Sequence, residues 1–229
     1  MSSCCSDYSS VAGGYFGARR AESDLKRYRH KGADPTTRLL RSFVIQAGGG
    51  QTILDIGGGI GALSFQLLEA GFARATIVDA AGEFLAAARQ EAERRGESPR
   101  VTVQEGDFVS VGSAIPRADV VAMDRVVCCY PHYQELLDSA LGHAVRLFAF
   151  SYPRDRWYVK AVVGLENALR ALKRGAFRVF VHPAAAMGAL AEERGFHCVR
   201  RGGTIAWAVE VYARRGPEKP RSSQSPAVR

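Results

Sequence analysis

Apolar positions along this chain repeat with two periods, and the two periods alternate. Leu39, Leu40, Phe43, Val44 and Ala47 share one face at helical spacing. Asp34 suits the cap of that helix, Pro35 its first position and Gly48 its left-handed closing residue. A shorter helix is predicted over Ala21 to His30, ended by Gly32, behind a loose arm of residues 1 to 20. From Gln51 strands and helices take turns. Strands are predicted at Thr52 to Ile56, Ala75 to Val78, Val101 to Gln104, Val120 to Met123 and Val145 to Phe150. Helices are predicted at Ala62 to Ala70, Gly82 to Arg95, Gln134 to Leu141 and Val159 to Leu172. Such alternation predicts an α/β fold, a Rossmann-like, doubly wound, mostly parallel sheet covered on both faces. The alternation then breaks. After a helix over Ala184 to Arg194, two strands, His197 to Arg201 and Thr204 to Ala213, follow with Gly202-Gly203 between them, which predicts a C-terminal antiparallel hairpin.

The densest local signal is Asp55-Ile56-Gly57-Gly58-Gly59-Ile60-Gly61, set between the first strand and the helix after it. That context is the one a nucleotide-binding glycine turn requires. Gly57, Gly59 and Gly61 allow tight turning and leave room for a ligand that a Cβ would hold off. Gly57, Gly59 and Ala62 also satisfy the form of the dinucleotide fingerprint that ends in Ala, so an NAD-dependent oxidoreductase is the rival reading. Asp55 argues against it, because a carboxylate there repels a pyrophosphate seated on the next helix N-terminus. A cationic, phosphate-free nucleoside such as S-adenosylmethionine is favoured instead. Three more acids follow at strand ends: Asp79, placed for ribose hydroxyls; Asp107-Phe108, placed for adenine; and Asp124, aimed into the crevice beyond the fourth strand.

Over residues 35 to 213 the chain resembles the class I S-adenosylmethionine-dependent methyltransferases, matching the Asp-x-Gly-x-Gly-x-Gly motif at Asp55 to Gly61, the ribose acid at Asp79, the adenine motif at Asp107-Phe108 and the fourth-strand acid at Asp124. The resemblance implies seven strands with the last inserted antiparallel, S-adenosylmethionine as cofactor and methyl transfer as activity. A more distant resemblance, to the magnesium-protoporphyrin IX methyltransferases, rests on Tyr15-Phe16 and on the run Met123 to Pro131. That group has His-Tyr-Pro after its fourth strand; Cys129 stands in the place of its His, so the porphyrin acceptor is not carried over. The expected division is an arm or lid over 1–33, a methyltransferase domain over 34–213 and a basic tail over 214–229.

Charge and cysteines change this picture little. The formal charge is +8, and the Pro- and Ser-rich tail holds half of it. The rest is a modest field that favours an anionic small-molecule acceptor over nucleic acid. Asp124-Arg125-Val126-Val127 also lacks the prolines usual where base amines are methylated. With no apolar run of membrane-spanning length and no secretory pattern at Met1 to Ser10, the expectation is a cytoplasmic protein without a membrane partner. Cys4-Cys5 and Cys128-Cys129 lack zinc spacing, so no metal is expected; Cys128 and Cys129 are read as small apolar residues at a strand end.

Methyl transfer is an in-line displacement that asks mainly for alignment. A carboxylate acceptor needs no base, whereas a hydroxyl benefits from one. Tyr130, Tyr133 and Tyr152 are further candidates for the acceptor side. His132 or His182 is the expected base, Arg154 the expected anchor for an anionic acceptor, and Tyr15, Phe16 and Tyr28 the expected cover over bound cofactor. O-methylation of a carboxylate or hydroxyl is the favoured chemistry; a non-catalytic cofactor-binding protein is the third reading.

Overall fold

The computed structural model describes residues 15–216; Cys4-Cys5 and most of the basic tail lie outside them. The helices α1 (Ala18–Lys31) and α2 (Pro35–Gln46) precede the sheet. There follow β1 (Thr52–Ile56), α3 (Ala62–Glu69), β2 (Arg74–Asp79), α4 (Gly82–Arg95) and β3 (Val101–Glu105). Next come a short α5 (Phe108–Val111), β4 (Ala118–Asp124), α6 (Tyr133–His143) and β5 (Ala144–Pro153). The chain ends with α7 (Trp157–Leu172), α8 (Ala184–Glu193), β6 (Phe196–Gly203) and β7 (Trp207–Arg214). The strand order is β3-β2-β1-β4-β5-β7-β6, parallel except for β7, which runs antiparallel to both β5 and β6.

The two-residue period of the strands sorts their side chains between two cores. In β4, Val121 and Met123 face one side with Leu137 and Phe148, while Val120 and Ala122 face the other with Leu40 and Phe65. Each fully buried Leu, Ile or Val contributes about 1.5–3 kcal/mol against exposure, so the alternation in these few residues holds the register of the central strands. The α2 face predicted from sequence does pack inward, with Leu40 and Val44 fully buried.

Three local expectations are corrected. Residues before Ala21 are not a loose arm throughout, since α1 starts at Ala18. Its Arg29 donates to the buried Glu91 of α4 at 2.8 Å, which fastens the segment to the domain. Burial pushes the Glu91 carboxyl up, but hydrogen bonds from Arg94, Arg95 and Arg29 outweigh that and hold it at about 2. Asp34 makes no capping bond; its carboxylate is taken by Arg125 Nη1 at 2.7 Å instead. Gly202-Gly203 is not the hairpin turn. Both glycines sit in β6, and the turn lies beyond them, closed by Thr204 N donating to the Trp207 carbonyl at 2.8 Å. Gly203 is needed because its φ is +149° and a Cβ would overlap that carbonyl.

Candidate functional site

The strand order changes direction between β1 and β4, and ligand crevices in open α/β sheets lie outside the strand carboxyl ends at such a point. Here the crevice is a cavity of about 750 Å³, within the usual range for small-molecule sites. Its floor is the sheet end, with Asp55, Gly57, Gly59, Asp79, Asp107 and Asp124 all on the lining.

The glycine turn is shaped by the sheet. Gly57 N donates to the Val78 carbonyl at 2.7 Å, and Gly57, Gly59 and Gly61 have φ of +62°, +56° and +80°. A Cβ on Gly57 would come within 2.5 Å of the Val126 side chain, so the bare turn makes room for the valine that follows β4. Gly61 clears the core side chains Ile77 and Phe65, a packing role rather than the ligand clearance read from sequence.

The carboxylates are held in place by their own networks. Asp79 accepts from Gly59 N and Ala81 N, each at 2.9 Å, which ties the turn to the end of β2. Burial raises its pKa against those bonds. Asp55 Oδ2 accepts from Ser64 Oγ at 2.8 Å, while its buried Oδ1 has no partner among the described residues. Burial pushes Asp55 up to about 7, opposed by Ser64 and reinforced by the charges of Asp124 and Asp79. Asp107 caps α5 through Val109 N at 3.2 Å and accepts from Tyr130 Oη at 2.9 Å. Phe108, beside it, is buried edge-on to His143 with centroids 5.1 Å apart.

Asp124 is set by residues that sequence reasoning passed over. Thr37 of α2 and Ser151 of β5 donate hydroxyls to its two oxygens at 2.5 and 2.6 Å. Arg125, a non-glycine residue at φ +63°, donates its backbone N–H to Ser151 Oγ at 2.8 Å. No local pattern announces Thr37 or Ser151; only the pairing of β4 with β5 and the crossing of α2 bring them to Asp124.

The facing wall has another chemistry. Tyr15 stacks on Phe177 with centroids 4.1 Å apart, and Phe16 stands edge-on to Phe177 at 5.3 Å and to Phe84 at 5.7 Å. The Arg20 and Arg170 guanidinium carbons lie 4.6 and 5.6 Å from the Tyr15 ring centroid. Tyr28 lies deeper, buried, with Arg95 donating to its hydroxyl at 3.2 Å. Cys129 also lines this wall, its sulfur 3.7 Å from that of buried Cys128. The hydrogen bond from Cys128 and the charges of Arg170 and Arg20 lower the Cys129 thiol against burial, while Cys128 is raised.

The residues expected to act on the acceptor are elsewhere. His132 is exposed ahead of α6 and off the cavity lining. His182 is buried between Tyr133 and Phe180 and points Nε2 at the Val127 and Tyr130 carbonyls, 3.1 Å from each. Two carbonyl partners require Nε2 to carry a hydrogen, and burial lowers the pKa further, so this ring is a neutral brace for the loop after β4. Arg154 spends its side chain on the hairpin turn, donating Nε to the Thr204 carbonyl at 2.7 Å. Tyr152 is buried, and burial with the nearby Glu210 charge raises its pKa. The site therefore gathers the expected cofactor residues other than Gly61, but not His132, His182 or Arg154.

Residues 53–149 match the protein family described as "Methyltransferase domain". No curated protein matches the chain in sequence. Among solved structures, the fold is similar to magnesium protoporphyrin IX methyltransferase from Synechocystis PCC 6803 with bound S-adenosylhomocysteine, at TM-score 0.70 and 18% identity over 90% of this chain and 99% of that one. A second structure of that protein holds S-adenosylmethionine. An O-methyltransferase family protein from Burkholderia thailandensis is similar at TM-score 0.69 and 16% identity, over 87% of this chain and 61% of that one. An assigned RNA methyltransferase from Pyrococcus horikoshii aligns at TM-score 0.57 and 15% identity, over 78% of this chain and 84% of that one. Residues 53–149 thus match a methyltransferase domain, and the chain around them has the fold of these solved methyltransferases.

Proposed function

We propose that the protein methylates an oxygen of a small acceptor that is largely apolar and carries a carboxylate. S-adenosylmethionine supplies a methyl group already activated on a sulfonium, so this chain's residues have to bind, orient and exclude water. In this reading Asp79 accepts the ribose hydroxyls, Asp107 and Phe108 take the adenine, and Asp55 and Asp124 face the cationic end of the cofactor. The unpartnered, buried Oδ1 of Asp55 supports that last assignment, since such an atom costs free energy until a cation reaches it.

The observation that carries the acceptor class is the make-up of the facing wall. Arg20 and Arg170 offer positive charge beside the ring of Tyr15; Phe177, Val159 and Val163 supply apolar lining, and no histidine is among the described lining residues. A carboxylate acceptor needs that arrangement: cations to hold its charge, apolar surface for its body, and no base. Tyr15 and Phe16, ahead of α1, would cover the occupied cavity. Transfer of labelled methyl from S-adenosylmethionine to small apolar carboxylic acids is the test. Product whose label is released by mild alkali, as an ester's is, supports the reading; alkali-stable label on nitrogen, carbon or RNA refutes it.

A further inference from the structure

Helix α7 leaves most of its length uncovered. It has 16 residues, about 24 Å of helix, and buries only Val159. Tyr158, Val162, Leu165, Leu169 and Leu172 recur at helical spacing on one face. Leu165 and Leu169 are more than half exposed and Leu172 is 82% exposed. Trp157 at the helix start is 81% exposed. The hairpin turn extends this surface through Ile205, 83% exposed, whose carbonyl accepts from Tyr158 Oη at 2.9 Å. A soluble helix normally turns such a stripe inward.

The flanks of the stripe identify what covers it. From residue 154 to 178 there are seven basic residues and two acidic ones. Both acids are already paired on the helix, Asp155 with Lys160 at 2.6 Å and Glu166 with Arg170 at 2.8 Å. Arg156, Lys160, Lys173 and Arg174 are exposed around the apolar face. A second copy docking face to face would bring these cations together. The basic tail is repelled in the same way. An apolar stripe with an aromatic end and a cationic border instead matches an anionic lipid surface, where the side chains enter the acyl boundary and the cations meet headgroups.

We infer that α7 docks the protein on anionic lipid bilayers, with Trp157, Leu165, Leu169, Leu172 and Ile205 entering the interface. No helix among the described residues is long and apolar enough to cross a membrane, so the contact is in the plane of the surface. The inference departs from the expectation of no membrane partner. Val159, Val163 and Arg170 of the same helix line the cavity, and Tyr158, Val162 and Ile205 belong both to the apolar surface and to that lining, so the docked molecule presents this side of the cavity to the bilayer. The inference does not rest on the proposed acceptor.

The test is co-sedimentation of the full chain with phosphatidylcholine vesicles with and without phosphatidylglycerol, together with the emission of Trp157 taken as the difference from Trp157→Phe. Binding is expected to the phosphatidylglycerol vesicles at low salt, with a blue shift of Trp157. It should weaken about tenfold in Leu165→Glu/Leu169→Glu, and by a similar factor in Lys173→Glu/Arg174→Glu. Because these side chains are exposed, folding is checked by unchanged thermal unfolding. Failure to bind phosphatidylglycerol vesicles overturns the inference. So does a dimer dispersed by Leu165→Glu/Leu169→Glu, or Trp157 emission that is already blue-shifted without lipid, which would mean the chain covers its own face.

Discussion

The floor and the facing wall of the cavity are built by opposite rules. The floor is one end of one sheet: its acids sit at β1, β2 and β4 termini or just after β3, are buried or nearly so, and are fixed by backbone N–H groups and hydroxyls at 2.5–3.2 Å. The wall is assembled from α1, α7 and the segment around Phe177, which meet through ring stacking and guanidinium contacts rather than a shared ladder. A ladder holds its groups within tenths of an ångström whatever the ligand; ring contacts between separate segments leave room to adjust. In the proposed reading the floor takes an invariant cofactor and the wall takes the acceptor.

The comparison breaks most sharply at the glycine turn. Gly57→Val forces a branched side chain into Val126 at a positive φ and should abolish S-adenosylhomocysteine binding by calorimetry. Asp79→Ala removes the carboxylate that positions Gly59 and Ala81. Losing one charge-assisted hydrogen bond to the cofactor, about 1.5–3 kcal/mol, together with the anchor of the turn should weaken cofactor binding by roughly ten- to a hundredfold. On the wall the split should reverse. Arg170→Ala is expected to cut kcat/KM for the acceptor about tenfold while leaving cofactor affinity within about twofold. His132→Ala, off the lining, should change neither by more than about twofold. A large effect of His132→Ala on turnover would restore the base that the geometry removes.

How much of this was legible follows the same division. Strand periodicity and the Asp55–Gly61 turn are local in sequence, so the sheet, the closing hairpin and the placement of Asp55, Asp79, Asp107 and Asp124 could be read directly. Thr37 and Ser151 could not, because each reaches Asp124 across 87 and 27 residues through packing alone. Phe177 lies in a segment with neither period and gains its place by stacking on Tyr15 and meeting Phe16 edge-on. His182 was misread because a His before a helix looks the same in sequence whether its ring faces a crevice or two buried carbonyls. The Gly202-Gly203 pair misled for a similar reason, since a glycine doublet marks tight backbone approach without saying whether the chain turns there.

The central claim is that the acid-lined floor is made for a cation, and Asp55 offers the direct test. Its raised pKa means that ionisation costs the free protein stability as pH rises through about 7. A bound sulfonium or ammonium favours the ionised form. Calorimetric titration with S-adenosylmethionine should therefore show affinity rising several-fold from about pH 6 to about pH 7.5, with that rise lost in Asp55→Asn and no binding of NAD at either pH. Tight binding of NAD together with indifference to S-adenosylmethionine would contradict the account.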